Sequence, residues 1–263
     1  MKKNLQETPL NARGVTLLEL LIAIAAGALV ILGVYNLLMS SIWSYNLQNQ
    51  TTDMYQNATY TIKRLSEDLA QVGADLPEQY YTVIFTASAT SSDVTVRINK
   101  KGGMFAIIKD TAYAKIPLFP DSVGLAFAGA DSLLLDTGGW AGSVGIDNVK
   151  TGINPDTILI HSNMTFHATN LIFAASTTRY FLSGTNFCVD SAANVQAENI
   201  DSLSMTFRDK NYAPTTNWSQ MSSVTLYVRA RTATPDPKYK CPGFGDGYHR
   251  LALTMDLRFR NRF

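Results

Sequence analysis

The chain has 263 residues, of which 46% are hydrophobic and 16% charged, and its formal net charge is +1. That length fits one large domain or two small ones, with room for a sizeable core. The balanced charge gives no general case for nucleic acid or for an acidic partner. Locally the charge is uneven, because Lys2, Lys3 and Arg13 precede a stretch from Leu20 to Thr52 that contains no charged residue.

The first predicted element is an apolar helix that runs from Val15 to Met39. Its 25 residues exceed the roughly 20 that a helix needs to cross a bilayer. The basic residues lie before it, and the next basic residue is Lys63. The positive-inside rule therefore places the N-terminus in the cytoplasm and the chain from Ser40 onward on the other side.

Three interpretations of this N-terminus are open on the residues alone. In the first it is a cleaved secretory signal peptide, for which AIAAG at 23–27 supplies small residues. In the second it is a signal anchor that is never cleaved. In the third the cut falls between Gly14 and Val15, so that Glu19 lies four residues from a new amino group and in the first turn of a helix, where the dipole favours a carboxylate.

The segment GVTLLELLIAIA, residues 14–25, resembles the type III signal of type IV prepilins and pseudopilins. That signal has a short basic leader that ends in Gly, then an apolar helix with Glu at its fifth position. The resemblance implies that a prepilin peptidase cuts after Gly14 and methylates the amine of Val15. It also implies that Glu19 neutralises the N-terminus of the adjacent subunit during assembly. Val15 and Asn36 depart from the pattern of major pilins, and both departures favour a minor one.

The helix is predicted to continue beyond the membrane as an amphipathic helix. Apolar residues recur at steps that are mostly three or four, at Leu47, Met54, Ala58, Ile62, Leu65, Leu69 and Val72. Gly73 and Pro77 are its expected stop signals. The alternative is a membrane anchor followed by a separate core helix. Residues 56–77 also resemble the helix end and exit loop of W-type minor pilins.

The rest of the chain is predicted to be β-rich. Alternation or short apolar runs mark the segments 93–100, 104–110, 131–137, 156–162, 203–207, 224–228 and 251–259. Strands with one apolar face suit an antiparallel sheet that covers the amphipathic half of the helix. We therefore predict an α+β fold of the pilin-like "lollipop" kind, with long loops or an irregular insertion at 100–155. Its divisions are a leader (1–14), a transmembrane and filament-core helix (15–39), an amphipathic continuation (40–73) and a globular domain (74–263).

The C-terminal third follows the strand order of W-type minor pilins and J-type pseudopilins. The resemblance implies a structural subunit of low copy number near a pilus tip, which aids initiation of assembly or adhesion. The J-type pseudopilin of a type II secretion system is the alternative, and a membrane-anchored binding module that never assembles is the alternative of another class. The implied partners are other pilins, the peptidase, the inner-membrane assembly platform and, before assembly, membrane lipid. The implied location is the inner membrane with a periplasmic domain, then the pilus or pseudopilus.

Few side chains indicate a redox, catalytic or metal-binding role. Cys188 and Cys241 both lie on the predicted outer side, where a disulfide between them is expected; two unpaired thiols are the alternative. No GxSxG, HExxH, P-loop or GxGxxG pattern occurs, so we predict no catalytic residue, cofactor or metal site.

A group of arginines provides one further hypothesis. If the strands at 224–231 and 251–263 pair, one face of the sheet carries Arg229, Arg231, Arg258, Arg260 and Arg262. Such a basic face suits DNA phosphates. The favoured alternative is a solvated sheet face or salt bridges to neighbouring subunits.

Overall fold

The computed structural model divides the chain into two compact units, Met1–Asn49 and Gln50–Phe263. The residues that the structure describes are 16–72, 84–98, 104–106, 111–112, 115–117, 132–136, 141–150, 157–160, 165–166 and 171–259. One helix, α1 (Leu17–Ala70), begins in the first unit and ends in the second. The predicted continuity of the helix is therefore confirmed.

In the first unit, α1 presents apolar side chains on all sides. The large aliphatic residues between Leu17 and Ile42 are exposed, and the segment is long and apolar enough to cross a membrane. A helix that is apolar all round requires an apolar environment such as lipid or other helices. The hydroxyl of Ser41 is satisfied within the helix, because its Oγ donates to the carbonyl of Leu37 at 2.9 Å.

In the second unit, α1 buries one face only. The residues it buries are Met54, Ala58, Thr61, Ile62, Leu65 and Leu69. These match the predicted stripe from Met54 to Leu69, whereas the predicted Leu47 is only half-buried. Thr61 is added, and its hydroxyl is satisfied because it donates to the carbonyl of Asn57 at 2.8 Å. The helix closes with a tighter turn, since the N–H of Val72 bonds to the carbonyl of Leu69 at 3.2 Å. The predicted stops Gly73 and Pro77 lie outside the described residues.

Sixteen strands follow in the described residues, and all their pairings are antiparallel. They are β1 (Ile84–Thr86), β2 (Thr90–Ser91), β3 (Val94–Ile98), β4 (Met104–Ala106), β5 (Thr111–Ala112), β6 (Lys115–Pro117), β7 (Ser132–Asp136), β8 (Ala141–Lys150), β9 (Thr157–Ile160), β10 (Thr165–Phe166), β11 (Leu171–Ser183), β12 (Asn186–Val189), β13 (Val195–Ala197), β14 (Ile200–Asp209), β15 (Met221–Arg231) and β16 (Arg250–Arg258). A 3-10 turn, η1 (Trp218–Gln220), precedes β15.

The strands form a large sheet, a small sheet and a two-stranded pair. The large sheet has the order β1-β3-β11-β7-β8-β9-β6, with β4 and β12 also paired to β11, and β13 paired to β12. The small sheet has the order β16-β15-β14-β2, and β5 pairs with β10. The predicted α+β class, a long N-terminal helix followed by an antiparallel β domain, is confirmed.

The four-stranded sheet covers α1 with one face, as its period-two pattern predicts. On β15 the apolar residues Leu226 and Val228 are fully buried, while Thr225 and Tyr227 between them are half-buried on the outer face. The buried residues of α1 join those of β14, β15, β3 and β12 in one core. Burying such side chains stabilises the fold by roughly 1.5–3 kcal/mol each.

Polar contacts fix α1 on this domain at several levels. Near its entry, Gln50 Oε1 accepts hydrogen bonds from the N–H and the hydroxyl of Thr234, at 3.1 and 2.9 Å. Further along, Asn57 Nδ2 donates to the carbonyl of Glu198 at 3.0 Å. The contacts of Gln50 therefore place the first residues of the second unit beside the end of β15.

The region 100–155 differs from the expected loops. It contains β4 to β8, and β8 alone pairs with both β7 and β9. The sequence of β8, AGSVGIDNVK, is poor in aromatic and β-branched residues, so its strand propensity is weak. Pairing on both sides stabilises it regardless, which is a tertiary effect that no local pattern reports.

Candidate functional site

The beginning of α1 holds the predicted assembly carboxylate in a capping box. Glu19 Oε2 accepts hydrogen bonds from the N–H of Thr16 at 2.9 Å and from its hydroxyl at 3.1 Å. In return, the N–H of Glu19 donates to Thr16 Oγ1 at 3.3 Å. This is the reciprocal pattern of a Thr N-cap with Glu three residues later. The sequence TLLE contains that signal, although the sequence analysis weighed only the charge of Glu19.

The capping box uses one carboxylate oxygen and leaves the other available. No described residue donates a hydrogen bond to Glu19 Oε1, and the neighbouring Leu18 and Leu20 side chains are exposed. A charged group amid exposed apolar surface is expensive in lipid unless a cation reaches it. The geometry therefore suits an outside cation that approaches Oε1 while Thr16 holds Oε2. The predicted cleavage and methylation residues, Gly14 and Val15, lie outside the described residues.

Three of the five predicted arginines share the outer face of the small sheet. β15 pairs with β16 in the predicted way, so that Arg229, Arg231 and Arg258 point to the same side. Arg260 and Arg262 lie outside the described residues. The three arginines are distributed over both ends of the strands, because Arg231 faces the first residue of β16 and Arg258 is its last.

Each of these arginines has intramolecular contacts. Arg229 Nε donates to Asp201 Oδ2 at 2.9 Å. The Arg231 guanidinium lies 4.4 Å from the ring centre of Tyr248. Arg258 donates to the hydroxyl of Tyr212 at 2.6 Å. These contacts lie within the chain, so they are not the salt bridges to neighbouring subunits that the sequence predicts, and the contact with DNA stays a prediction.

Arg250, which the sequence analysis did not select, organises the end of this face. Its side chain is only 8% exposed, and it bonds to Asp201 Oδ2 at 3.0 Å and to both carboxylate oxygens of Asp246, at 2.7 and 2.5 Å. Its guanidinium also stacks 4.0 Å from the ring centre of Phe244. An arginine can make this fork of bonds while its plane stacks on a ring, which a lysine cannot do.

The charges in this network shift one another's pKa. The hydrogen bond from Arg250 lowers the pKa of Asp246 to about 2, and the same bond raises the pKa of Arg250 above its usual range. At Asp201, burial raises the pKa, but hydrogen bonds and the charges of Arg250 and Arg229 outweigh it, so that the net pKa is lowered. All these groups are therefore charged at neutral pH.

Both cysteines are free in the structure, which differs from the expected disulfide. Cys188 on β12 and Cys241 between β15 and β16 are both buried. Each thiol has local acceptors, since Cys188 Sγ lies 3.6 Å from the carbonyl of Asn186 and Cys241 Sγ lies 3.9 Å from that of Pro242. The two thiols lie on separate segments and are not bonded to each other in the structure. A disulfide between them stays a prediction for the oxidised protein.

One histidine lies in a defined polar contact. His249 Nε2 is 3.3 Å from Asp236 Oδ2, and its ring stacks on Tyr239 with 3.9 Å between ring centres. Within the described part of the chain, no group of three or more His, Cys, Asp or Glu side chains has a metal-binding arrangement. The contact fastens the chain between β15 and β16.

Comparison with known proteins identifies the N-terminal segment. Residues 10–35 match the model of the prokaryotic N-terminal methylation motif, a signal of type IV pilins and pseudopilins. No curated protein and no solved structure matches the chain. The match contains the basic leader end, the capping box and most of the apolar run. The predicted signal is thereby confirmed, and it is consistent with an inner-membrane protein that crosses once.

Proposed function

We propose that this chain is a minor type IV pilin, a structural and non-enzymatic subunit that enters a filament in few copies. The observation that carries the proposal is the match of residues 10–35 to the methylation motif, with Glu19 at the position that this signal requires. The α+β architecture supports it, because α1 offers an apolar first half for the filament core and an amphipathic second half that holds a β domain.

The capping box suggests how the subunit assembles. A prepilin peptidase cuts after Gly14 and methylates Val15, and the helix then waits in the membrane with Glu19 capped by Thr16. In the filament, the cationic N-terminus of a neighbouring subunit approaches Glu19 Oε1, the oxygen that Thr16 leaves available. A buried charge without a partner is strongly unfavourable, so this pairing selects one register of the helices.

We further propose a position near the filament tip, with a role in initiating assembly or in adhesion. Removal of the leader leaves at least 249 residues (263 minus 14), which is large for a subunit that repeats along a filament. A J-type pseudopilin of a type II secretion system uses the same signal and the same helix, and it remains the nearest alternative.

The first experiment measures the N-terminus of the purified protein by mass spectrometry, with and without the prepilin peptidase in the producing cell. The proposal expects an N-terminal peptide that starts at Val15 and carries one added methyl group, only when the peptidase is present. An intact leader in both cells contradicts it and favours the membrane-anchored binding module that never assembles.

The second experiment tests the carboxylate. Glu19→Ala is expected to reduce incorporation into sheared filaments at least tenfold, since a missing charge partner costs more than the 1.4 kcal/mol that a factor of ten represents. Glu67→Ala is the matched control, because Glu67 is an exposed carboxylate on the same helix with only a 3.8 Å contact to Lys63. Equal incorporation of both variants contradicts the role of Glu19.

To separate pilus from secretion, the strain that lacks the gene is assayed for both surface pili and secreted enzymes. Loss of pili with normal secretion supports the minor pilin. Loss of secretion with normal pili assigns the chain to the pseudopilus instead.

A further inference from the structure

β16 forms one edge of the small sheet, and only one of its two sides is paired. The order β16-β15-β14-β2 places this strand last, and its nine residues, Arg250–Arg258, pair with β15. No strand in the described part of the chain pairs with its other side. The backbone N–H and C=O groups on that side therefore form an open row that can accept another strand.

The pairing with β15 shows which backbone groups make up this open row. Just beyond the end of β16, the N–H of Phe259 bonds to the carbonyl of Ser222 at 3.1 Å, in register with the ladder. In an antiparallel ladder, alternate residues direct their backbone groups toward the partner strand. The odd-numbered residues of β16 therefore face β15. The outward-facing groups of the middle of the strand belong to Ala252, Thr254 and Asp256, and all three residues are exposed.

The middle of this edge lacks the features by which proteins protect an open edge strand. Such features are a proline, a β-bulge, a lysine or a charge that points inward. Residues 251–255, LALTM, contain no charged residue and no proline, and the register with β15 continues over nine pairs without a bulge. By contrast, β2 at the opposite edge of the sheet has only two residues. A long and unprotected edge is a template for pairing with another chain.

The apolar side chains of β16 are also incompletely covered. They form a row on the face of the sheet that bears the core, and none of the four is fully buried: Leu251, Leu253, Met255 and Leu257. Met255 is 38% exposed, whereas Leu226, its partner on β15, is completely buried. Removal of apolar surface from water is favourable. A strand that pairs with the open backbone row would therefore also complete the core at this edge.

A second copy of this chain fits the edge poorly. An antiparallel pairing that overlaps all of two β16 strands places Arg250 of each copy opposite Arg258 of the other, which is a contact between like charges. Its two-fold axis is perpendicular to the sheet, so the parts of α1 that pack on the two sheets run in opposite directions. Subunits that leave one membrane for one filament run in the same direction. A two-fold parallel pairing would set the apolar row of one copy beside the polar row of the other.

We propose that β16 is the site at which an extended strand of another filament protein adds to the small sheet. The proposal rests on the proposed function, which supplies such a neighbour. The added strand alternates, with apolar side chains beside Leu253 and Met255 and polar side chains on the outer face. Asp256 and Arg258 are exposed on that face, so the partner presents a basic and an acidic side chain opposite them. Main-chain bonds supply affinity, and the alternating side chains supply specificity.

The test removes one backbone donor of the open edge and leaves the rest of the sheet intact. Thr254→Pro deletes an N–H that points away from β15, and an edge strand tolerates proline at such a position. Thr254→Val is the matched control, because it changes the side chain and keeps the N–H. Each variant replaces the wild-type chain in the producing strain. The proline variant should enter sheared filaments roughly tenfold less than the valine variant, since the added strand loses a hydrogen bond and keeps an unpaired carbonyl.

Thermal unfolding of the purified full chains reports whether each variant is folded. If Thr254→Pro is not folded, Met255→Lys replaces it, with Met255→Leu as its control. The lysine keeps every backbone N–H and places a charge in the apolar row, which is how natural edge strands exclude a partner. It should lower incorporation into filaments to a similar extent.

A photoreactive benzophenone side chain in place of Thr254 identifies the occupant of the edge. Illuminated filaments should contain a covalent adduct between this chain and a different filament protein, joined through a segment in which apolar and polar residues alternate. Mass spectrometry of the cross-linked peptides identifies both segments.

Several results overturn the proposal. They are equal incorporation of the folded proline and valine variants, no adduct, an adduct within one chain, and an adduct between two copies of this chain. Leader cleavage in the membrane fraction is measured for every variant. An intact leader in all of them contradicts the pilin proposal, whereas a cleaved leader with any of the results above contradicts only the role of β16.

Discussion

The hydroxyl of Tyr180 on β11 donates a hydrogen bond of 2.5 Å to the carboxylate of Asp68, 112 residues earlier in the last turns of α1. Tyr180 is completely buried, and Asp68 is also paired with Arg64 at 2.9 Å. This contact joins the helix to the large sheet, whose buried residues share one core with the apolar stripe of α1 and with the small sheet. The donor is the hydroxyl of a buried tyrosine, and leaving such a buried polar group without a partner is costly.

Tyr180→Phe is therefore expected to lower the free energy of unfolding by about 1–2 kcal/mol, because Asp68 loses its buried donor while the ring still packs. A denaturant titration followed by near-UV circular dichroism measures it. Tyr55→Phe is the control, since the Tyr55 side chain on the same helix is 58% exposed. Equal stability of the two variants contradicts a stabilising role for the bond.

The same bond predicts loss of stability in alkali. Burial, and then the hydrogen bond to Asp68, raise the pKa of Tyr180 well above its ordinary value of 10.0. Below pH 10 the tyrosine is protonated in both states, so its contribution is complete. Above pH 10 the unfolded chain loses the proton and the folded protein retains it, so stability falls by up to about 1.4 kcal/mol per pH unit from this group.

Comparing the wild type with Tyr180→Phe between pH 9 and pH 11 isolates that contribution. The variant should show a shallower decline of unfolding free energy with pH. If the two proteins decline in parallel, the pKa of Tyr180 is not raised in the folded state.

Gly247 is expected to tolerate alanine much less well than Gly243. Both have positive φ, 77° and 84°, so a side chain costs about 1 kcal/mol at either position. At Gly247 an added Cβ also meets the backbone oxygen of Asp236 at 2.8 Å, whereas at Gly243 it meets open space. Thermal unfolding should show Gly247→Ala less stable than Gly243→Ala by at least about 1 kcal/mol. Equal losses would mean that the loop relaxes away from Asp236.

Much of this fold was predictable because its patterns are local. The buried stripe of α1 needs only a period near 3.6, and the two faces of β15 and β16 need only a period of two. β11 was missed, although it pairs with β3, β4, β7 and β12. Its sequence LIFAASTTRYFLS has no alternation, and a strand at the centre of a sheet is stabilised by neighbours far away in the chain.

The residues of the candidate site likewise fall into those that the sequence indicates and those that depend on the fold. Glu19 was selected because a charge in an apolar run is visible in the sequence, and Thr16 is within one helical turn of it. Arg250 was missed because its importance depends on Asp201, 49 residues earlier, and on the fold of the β15–β16 loop. The arginine face itself was predicted from strand pairing, but the hydrogen bond from Arg229 to Asp201 was not.

The two thiols provide a further test. In the structure Cys188 is completely buried and Cys241 nearly so, and both are unpaired. Protein purified under reducing conditions should therefore react with Ellman's reagent at both thiols in denaturant and only slowly without it. Protein from an oxidising compartment decides the disulfide: absence of reactive thiols after denaturation would establish the bond that the sequence predicts, and two reactive thiols would exclude it.

Thr16→Val tests whether the capping box controls the beginning of α1. Valine keeps the shape of threonine but lacks the hydroxyl that contacts Glu19 Oε2 and the N–H of Glu19, at 3.1 and 3.3 Å. Losing an N-cap costs about 1 kcal/mol, so the first amides of the helix should exchange about five times faster in nanodiscs. Thr16→Ser retains the hydroxyl and should behave like the wild type, and equally fast exchange in both variants would contradict the capping role. Because Thr16→Val leaves the charge of Glu19 in place, it should lower filament incorporation far less than Glu19→Ala, which separates the position of the carboxylate from its charge.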